Sequence, residues 1–254
     1  MKVVLAQTDI VWADPESNRE KARKVLASHP GADLVVFPEM FSTGFATKPQ
    51  DIAEEDPSAT LEWMKASAAA FNTAIAGSVA LHKDGTFLNR FYFVKPDGEV
   101  TFYDKHHLFT YGGEPEFFTA GDRQVTVEWQ GWKFRLVVCY DLRFPLWCRN
   151  NDGYDALICV ASWPKPRRRN WDALLRARAI EDQCYVLGVN RTGADPACVY
   201  TGGTVIIDPY GEYISTCADE CECECEAELE LEPLQEFRKK FPVLLDADRF
   251  EMND

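Results

Sequence analysis

At 254 residues, with 46% hydrophobic and 27% charged side chains, the chain has apolar content for a large core and charge for a wetted surface. The net charge of −14 is uneven, because residues 219–254 hold 13 acidic against 4 basic side chains. No long basic stripe is available to neutralise phosphates, so nucleic acid is not an expected partner, and no apolar run approaches the ~18 residues that span a bilayer.

In chain order, Met1-Lys2-Val3-Val4-Leu5-Ala6 is too short an apolar run for a signal peptide and begins a strand over 2–7. The expected location is therefore the cytoplasm. Asp14-Pro15-Glu16 supplies an N-cap and a proline at the first helical position, opening a helix to about Ser28. Residues 33–37 form a short apolar strand closed by Pro38, and Ser58 caps a helix whose Leu61, Met64, Ala68 and Phe71 share one face. Hairpins then take over. Strands over 74–81, 86–94 and 99–103 are joined by Asp84-Gly85 and Asp97-Gly98. A loop over 105–123 leads to a hairpin of 125–129 and 133–139 around Gln130-Gly131. A strand over 155–161, an amphipathic helix over 167–183 and a strand over 184–190 follow, and 199–208 pairs with 212–216 across Pro209-Tyr210-Gly211.

Residues 221–232 alternate strictly, Cys-Glu-Cys-Glu-Cys-Glu-Ala-Glu-Leu-Glu-Leu-Glu. A thiolate metal site on Cys221, Cys223 and Cys225 would call for a histidine or a second cysteine cluster nearby, and neither is present. A half-buried strand with Cys, Ala and Leu inward fits instead. Nine cysteines, seven of them beyond position 150, show no secretory framework and are expected reduced, mostly as small buried hydrophobes. About a dozen strands with interspersed helices predict an α/β fold of two sheets packed face to face with helices outside. No linker or repeat divides the chain, so residues 1–254 are expected to form a single domain.

Three segments share one design, an apolar strand that ends in a reactive residue: Leu34 to Glu39, Phe102 to Lys105 and Leu136 to Cys139. Groups at strand ends sit on a rigid scaffold and face an open cleft. Together they make a working set. A thiol near its reference pKa of ~8.5 is largely protonated at neutral pH and needs a base or a cation to attack. Glu39 can take the proton of Cys139 and return it to a leaving amine. Lys105 can hold the thiolate and the developing oxyanion, with the backbone N–H of Tyr140 as a second donor. His106 and His107, next to Lys105, keep a Cys–His dyad open as the competing arrangement.

The segments Phe37-Pro38-Glu39-Met40, Asp104-Lys105-His106-His107-Leu108-Phe109 and Cys139-Tyr140-Asp141-Leu142-Arg143-Phe144-Pro145 resemble the three signatures of the nitrilase superfamily of carbon–nitrogen hydrolases. They stand in its order, at intervals of 66 and 34 residues, and the likeness runs along nearly the whole chain. Ala161-Ser162-Trp163-Pro164, the segment from Ala177 to Gln183 and Gly188-Val189-Asn190-Arg191 are similar to its omega-amidase branch. The resemblance implies an α-β-β-α sandwich that pairs into a homodimer, and C–N hydrolysis without metal or organic cofactor. It implies Glu39 as base, Lys105 as oxyanion lysine, Cys139 as nucleophile, and a second glutamate that positions substrate and lysine. Glu114 and Glu116 both offer themselves, and Glu114, seven residues before Gly121, has the matching spacing.

Arg143, four residues past the nucleophile, suits either a substrate carboxylate or an ion pair with Asp141. Trp163 is a candidate pocket wall. Arg167-Arg168-Arg169 reads as a solvated helix start or dimer edge, and Asp172, Arg178 and Glu181 as helix fixtures. The expected reaction frees ammonia from the terminal amide of a small α-keto acid amide, of the 2-oxoglutaramate or 2-oxosuccinamate type, through a thioester acyl-enzyme. An N-carbamoyl or aliphatic amidase and a catalytically silent ligand-binding homologue are the alternatives. A metal-dependent phosphoesterase would need several Asp/His ligands at strand ends, which the sequence lacks.

Overall fold

Two stacked sheets with helices on their outer faces make up the computed structural model, which describes residues 1–248 and 250. The first sheet is built from β1 (Lys2–Gln7), β2 (Leu34–Val36), β3 (Glu54–Glu55), β4 (Ala74–Lys83), β5 (Thr86–Val94), β6 (Val100–Asp104) and, near the chain end, a strand over Cys223–Glu228. Helices α1 (Pro15–Ser28) and α2 (Ala59–Phe71) cover it. The second sheet contains β7 (Thr126–Trp129), β8 (Trp132–Val138), β9 (Ala156–Ala161), β10 (Tyr185–Asn190) and two strands over Val205–Ile207 and Tyr213–Thr216. A short helix, α3 (Pro145–Cys148), follows β8, and α4 (Arg168–Glu181) packs outside the second sheet.

The period-2 alternation of the strands divides their side chains between two cores. Val3, Leu5, Leu34, Val36, Phe91 and Phe93 face the second sheet and join its Phe134, Leu136 and Ile158. Val4, Ala6, Val35, Ile75 and Val79 face the other way and bury Val25 and Leu26 of α1 and Met64 and Ala68 of α2. Both predicted N-caps are made: Asp14 Oδ1 accepts the Ser17 N–H at 3.1 Å, and Ser58 Oγ the Leu61 N–H at 3.0 Å.

Strand directions place the site. β1, β2 and β4 are mutually parallel, and β6 returns to that direction through the antiparallel β5. β8, β9 and β10 are parallel as well, with Val138 level with Val160 and Ala161 level with Asn190. The carboxyl ends of β2, β6, β8 and β9 therefore deliver Glu39, Lys105, Cys139 and Ser162. Ligands gather at such ends in open α/β sheets.

Three expectations need correction. The predicted strand 199–208 is broken at Gly202-Gly203, whose φ values of 81° and 97° bend the chain out of the sheet. Residues on either side go to different partners: β12 (Val199–Thr201) pairs with β11 (Thr192–Ala194), while β13 (Val205–Ile207) joins β10 and carries β14 (Tyr213–Thr216). The alternating tract is shorter than predicted. Only Cys223–Glu228 is strand, β15, pairing with β1; Cys225 is buried there while Cys221 lies outside it and is exposed. Leu231–Lys240 is a helix, α5, that the Glu/Leu alternation concealed.

Candidate active site

β2 ends at Val36, and the chain continues through buried Phe37 to Glu39, which has no solvent-exposed surface. Its carboxylate is used as an acceptor on both oxygens. Oε1 accepts from Asn89 Nδ2 at 2.8 Å and Lys105 Nζ at 3.1 Å, and Oε2 accepts the Ser162 N–H at 2.8 Å. Such a set of donors suits the ionised carboxylate.

Lys105 follows β6 and is held by its main chain on both sides, its N–H donating to Asn89 O and its carbonyl accepting from Gly121 N, each at 3.0 Å. A side chain at Gly121 would collide with the Asp104 carbonyl, so the loop closes on the strand only because that position has no Cβ. Lys105 Nζ also donates to Glu114 at 2.9 and 3.1 Å. Burial opposes the ammonium charge, but Glu114 and Glu39 outweigh it and hold the lysine above its ordinary pKa. Glu114 is raised by its own burial and by Glu39, against the pull of Lys105. Of the two loop glutamates, Glu114 meets the lysine. Glu116 is exposed and lies against Gly113.

Cys139 opens a 3₁₀ turn over Cys139–Arg143 directly after β8, with φ +47°. A non-glycine residue in that region costs of the order of 1–3 kcal/mol and lifts the side chain clear of the strand. Burial and the Glu39 carboxylate push the thiol well above its usual range, with Lys105 acting in the opposite sense. Tyr140 is in the first turn, where its N–H has no partner within the turn.

Asp141 ties this turn to the lysine loop. Its oxygens accept from Val138 N at 2.9 Å, Tyr103 Oη at 2.7 Å and His107 N at 2.8 Å. His107 Nδ1 is 2.9 Å from the same carboxylate, and its ring stacks on Phe144. His106 stacks on Trp147 and pairs with Gly121 O. Neither imidazole hydrogen-bonds Cys139 among the described residues or lines the cavity over it, which leaves the Cys–His dyad without support.

A cavity opens over Cys139, lined by Phe45, Phe109, Tyr140, Arg143, Trp163 and Arg167 besides Glu39 and Lys105. Arg143 makes no ion pair with Asp141; its guanidinium lies 4.8 Å over the Trp163 ring. Arg167 is in the cavity wall, contrary to the expected solvated helix start, and only its neighbour Arg168 behaves as a fixture, pairing with Asp172 and Asp219. Arg178 pairs with Glu181 and donates to Leu142 O at 2.7 Å. Asn89 and Phe45 at the site carried no sequence signal, and Ser162 only as part of a branch-like segment: Asn89 and Ser162 meet Glu39 across 50 and 123 residues of chain. Among the described residues, no group of three or more His, Cys, Asp or Glu side chains is disposed to hold a metal ion.

Comparison with known proteins identifies the family to which this fold belongs. The carbon-nitrogen hydrolase family model matches residues 2–239. The omega-amidase YafV of Escherichia coli is 44% identical over 99% of this chain and 98% of its own length. The 2-oxoglutaramate amidase of Bacillus subtilis is 36% identical over 94% and 95%. Among solved structures, XC1258 of Xanthomonas campestris, a CN-hydrolase superfamily protein with an arsenic adduct in its active site, superposes with a TM-score of 0.96 at 38% identity. That match covers 100% of this chain and 99% of the other. Likeness along nearly the full length, in sequence and in fold, places the chain in the carbon-nitrogen hydrolase family, as a hydrolase of non-peptide C–N bonds.

Proposed function

We propose that the protein is a cysteine amidase that hydrolyses the terminal amide of a small α-keto acid amide, of the 2-oxoglutaramate or 2-oxosuccinamate type, to the acid and ammonia. The observation that carries the reading is the placement of Lys105 between Glu39 and Glu114 beside Cys139. The names of the relatives, an omega-amidase and a 2-oxoglutaramate amidase, support the substrate class.

In this mechanism the resting sulfur is a neutral thiol, because burial and Glu39 both disfavour the thiolate. Glu39 accepts the proton as Sγ of Cys139 bonds to the amide carbon. The carbonyl oxygen becomes an oxyanion held by Lys105 Nζ and the Tyr140 N–H. Glu39 then gives its proton to the nitrogen, the C–N bond breaks, and ammonia leaves a thioester on Cys139. Water attacks the thioester with Glu39 again as base, and the thiol is restored as the acid departs. Glu114 keeps Lys105 charged and in place. Arg143 binds the far carboxylate, with Trp163 as the wall beneath it.

The proposal extends to the setting: the whole chain as one catalytic unit, pairing into a homodimer and acting in the cytoplasm. Nine cysteines without a secretory spacing suit a reducing compartment. No described helix is long and apolar enough to cross a membrane. The deciding experiment is an ammonia-release screen over small amides with Cys139→Ala as control. Release from 2-oxoglutaramate that persists in Cys139→Ala, or no release from any ω-amide, rejects the reading.

A further inference from the structure

We propose that Arg167 is the second arm of a carboxylate clamp which, with Arg143, selects anionic amides for attack by Cys139. This rests on the amidase reading above and names what that site recognises.

The cavity has more positive charge than its own acids use. Lys105 is spent on Glu39 and Glu114. Arg143 and Arg167 also line the cavity, yet neither guanidinium makes an ion pair or a hydrogen bond among the described residues. This is notable in a chain with 41 acidic against 27 basic residues. Elsewhere arginines find carboxylates: Arg90 with Asp104, Arg135 with Asp152, Arg238 with Asp155. The two cavity arginines instead lie over aromatic rings, Arg143 at 4.8 Å from the centre of Trp163 and Arg167 at 5.2 Å from that of Phe109. Stacking occupies the face of a guanidinium and leaves its in-plane N–H donors for a carboxylate.

The arrangement is also rigid. Trp163 Nε1 donates to the Arg167 carbonyl at 2.8 Å, so the ring beneath one arginine fixes the main chain of the other. Trp163 N donates to Asn190 Oδ1 at 2.7 Å, and Arg167 N to Pro164 O at 3.0 Å. Phe109, beneath Arg167, gives its N–H to Glu114 at 2.6 Å. Arg143 is thus mounted on the turn that opens at Cys139, and Arg167 on the loop after β9 that meets Glu39 through Ser162, so little ordering remains for the substrate to impose. An anion entering a site that already contains two carboxylates needs compensating charge, and two free guanidiniums supply it.

The test compares succinamate with butanamide, its uncharged counterpart of the same chain length, in wild type, Arg167→Ala and Arg167→Lys. Binding of 2-oxoglutarate, a short dicarboxylate, is measured by calorimetry on Cys139→Ala with and without Arg167→Ala. A charge-assisted contact predicts a loss of about 10- to 100-fold in kcat/KM on succinamate for Arg167→Ala, expressed mainly in KM and at least about tenfold beyond the loss on butanamide. Dicarboxylate affinity falls in parallel, and Arg167→Lys, a point charge without the fork, recovers part of it. Equal losses on both amides, or unchanged 2-oxoglutarate affinity, would show a structural role for Arg167 and overturn the clamp. Failure of wild type to release ammonia from any ω-amide overturns the amidase reading instead, and the calorimetric arm still decides the clamp.

Discussion

Lys105 keeps a charge where burial opposes it, because two carboxylates pay the cost. A group supported in this way is available to meet an oxyanion that exists only in the transition state, and its worth is realised there. Losing one such donor typically costs ~10²–10³ in turnover, and Lys105 also bears on the thiol, so Lys105→Ala should lose at least the upper end of that range in kcat. His106→Ala and His107→Ala should cost far less activity, since their rings stack on Trp147 and Phe144 and pair with Gly121 O and Asp141. Steady-state kinetics on folded variants decide the matter. A dead histidine variant beside an active Lys105→Ala would restore the Cys–His dyad. Cys139→Ala should abolish turnover while Cys148→Ala and Cys221→Ala retain it. An acyl adduct detected by intact mass in Cys139→Ala would place the nucleophile elsewhere. That Glu39, Lys105 and Cys139 come together was legible because each follows an apolar strand. The place of Arg167 was not, because a run of three arginines looks alike in sequence and only the folded chain sets Arg167 over Phe109 in the cavity wall while Arg168 pairs with Asp172 and Asp219.

The elements depend on joints that sequence spacing does not reveal. Asp141 links β6, β8 and the lysine loop through buried Tyr103 and Val138 and half-buried His107. Asp141→Ala would strand the two buried donors at roughly 1–3 kcal/mol each, with less for His107, so a loss of more than about 3 kcal/mol in denaturant midpoint analysis is expected. A loss under about 1 kcal/mol would mean that water replaces the carboxylate without cost. Periodicity gave most strand and helix positions, yet it joined β12 to β13 across Gly202-Gly203 and ran β15 on into α5. In the first case the glycine φ values decide, and in the second a Glu/Leu alternation fits the start of a helix as well as the end of a strand. At the end of α4, Asp182 is buried with Oδ2 unpartnered, and burial raises its carboxyl to about 6. The native state therefore holds this proton more tightly than the unfolded chain. Stability associated with it is full below the unfolded carboxylate range near pH 4 and is lost as pH rises through about 6. Asp182→Asn keeps an acceptor for Asn150 N without the charge. Its stability relative to wild type should improve between pH 4 and 8 by up to about 3 kcal/mol, as urea titrations at the two pH values can show. A difference that is flat with pH would reject the account.

At the scale of the whole molecule, the acidic surface conceals an apolar band. Ile180 on α4, Tyr210 and Tyr213 around the turn into β14, and Phe241 after α5 are exposed by 52%, 62%, 44% and 59%. They are neighbours in space: a Cβ on Gly211 would meet Ile180, Arg176 lies over the Tyr213 ring, and Tyr210 stacks on Phe237, which in turn approaches Phe241. Scattered exposed apolar residues are ordinary, but a contiguous group of large ones marks an interaction surface. A two-fold pairing through α4 would bury it against its own copy, in a self-complementary contact. The consequence reaches the site, because α4 begins beside Arg167 and its Arg178 holds the Leu142 carbonyl in the turn that opens at Cys139. Sedimentation velocity should therefore show a dimer at micromolar concentration. Ile180→Asp, which sets like charges against each other across the two-fold axis, should yield monomers. If α4 is steadied by the pairing, those monomers should also lose activity and regain it as protein concentration rises. A wild-type protein that is monomeric and fully active at every concentration would instead show that each chain completes its own site and that the apolar band serves another contact.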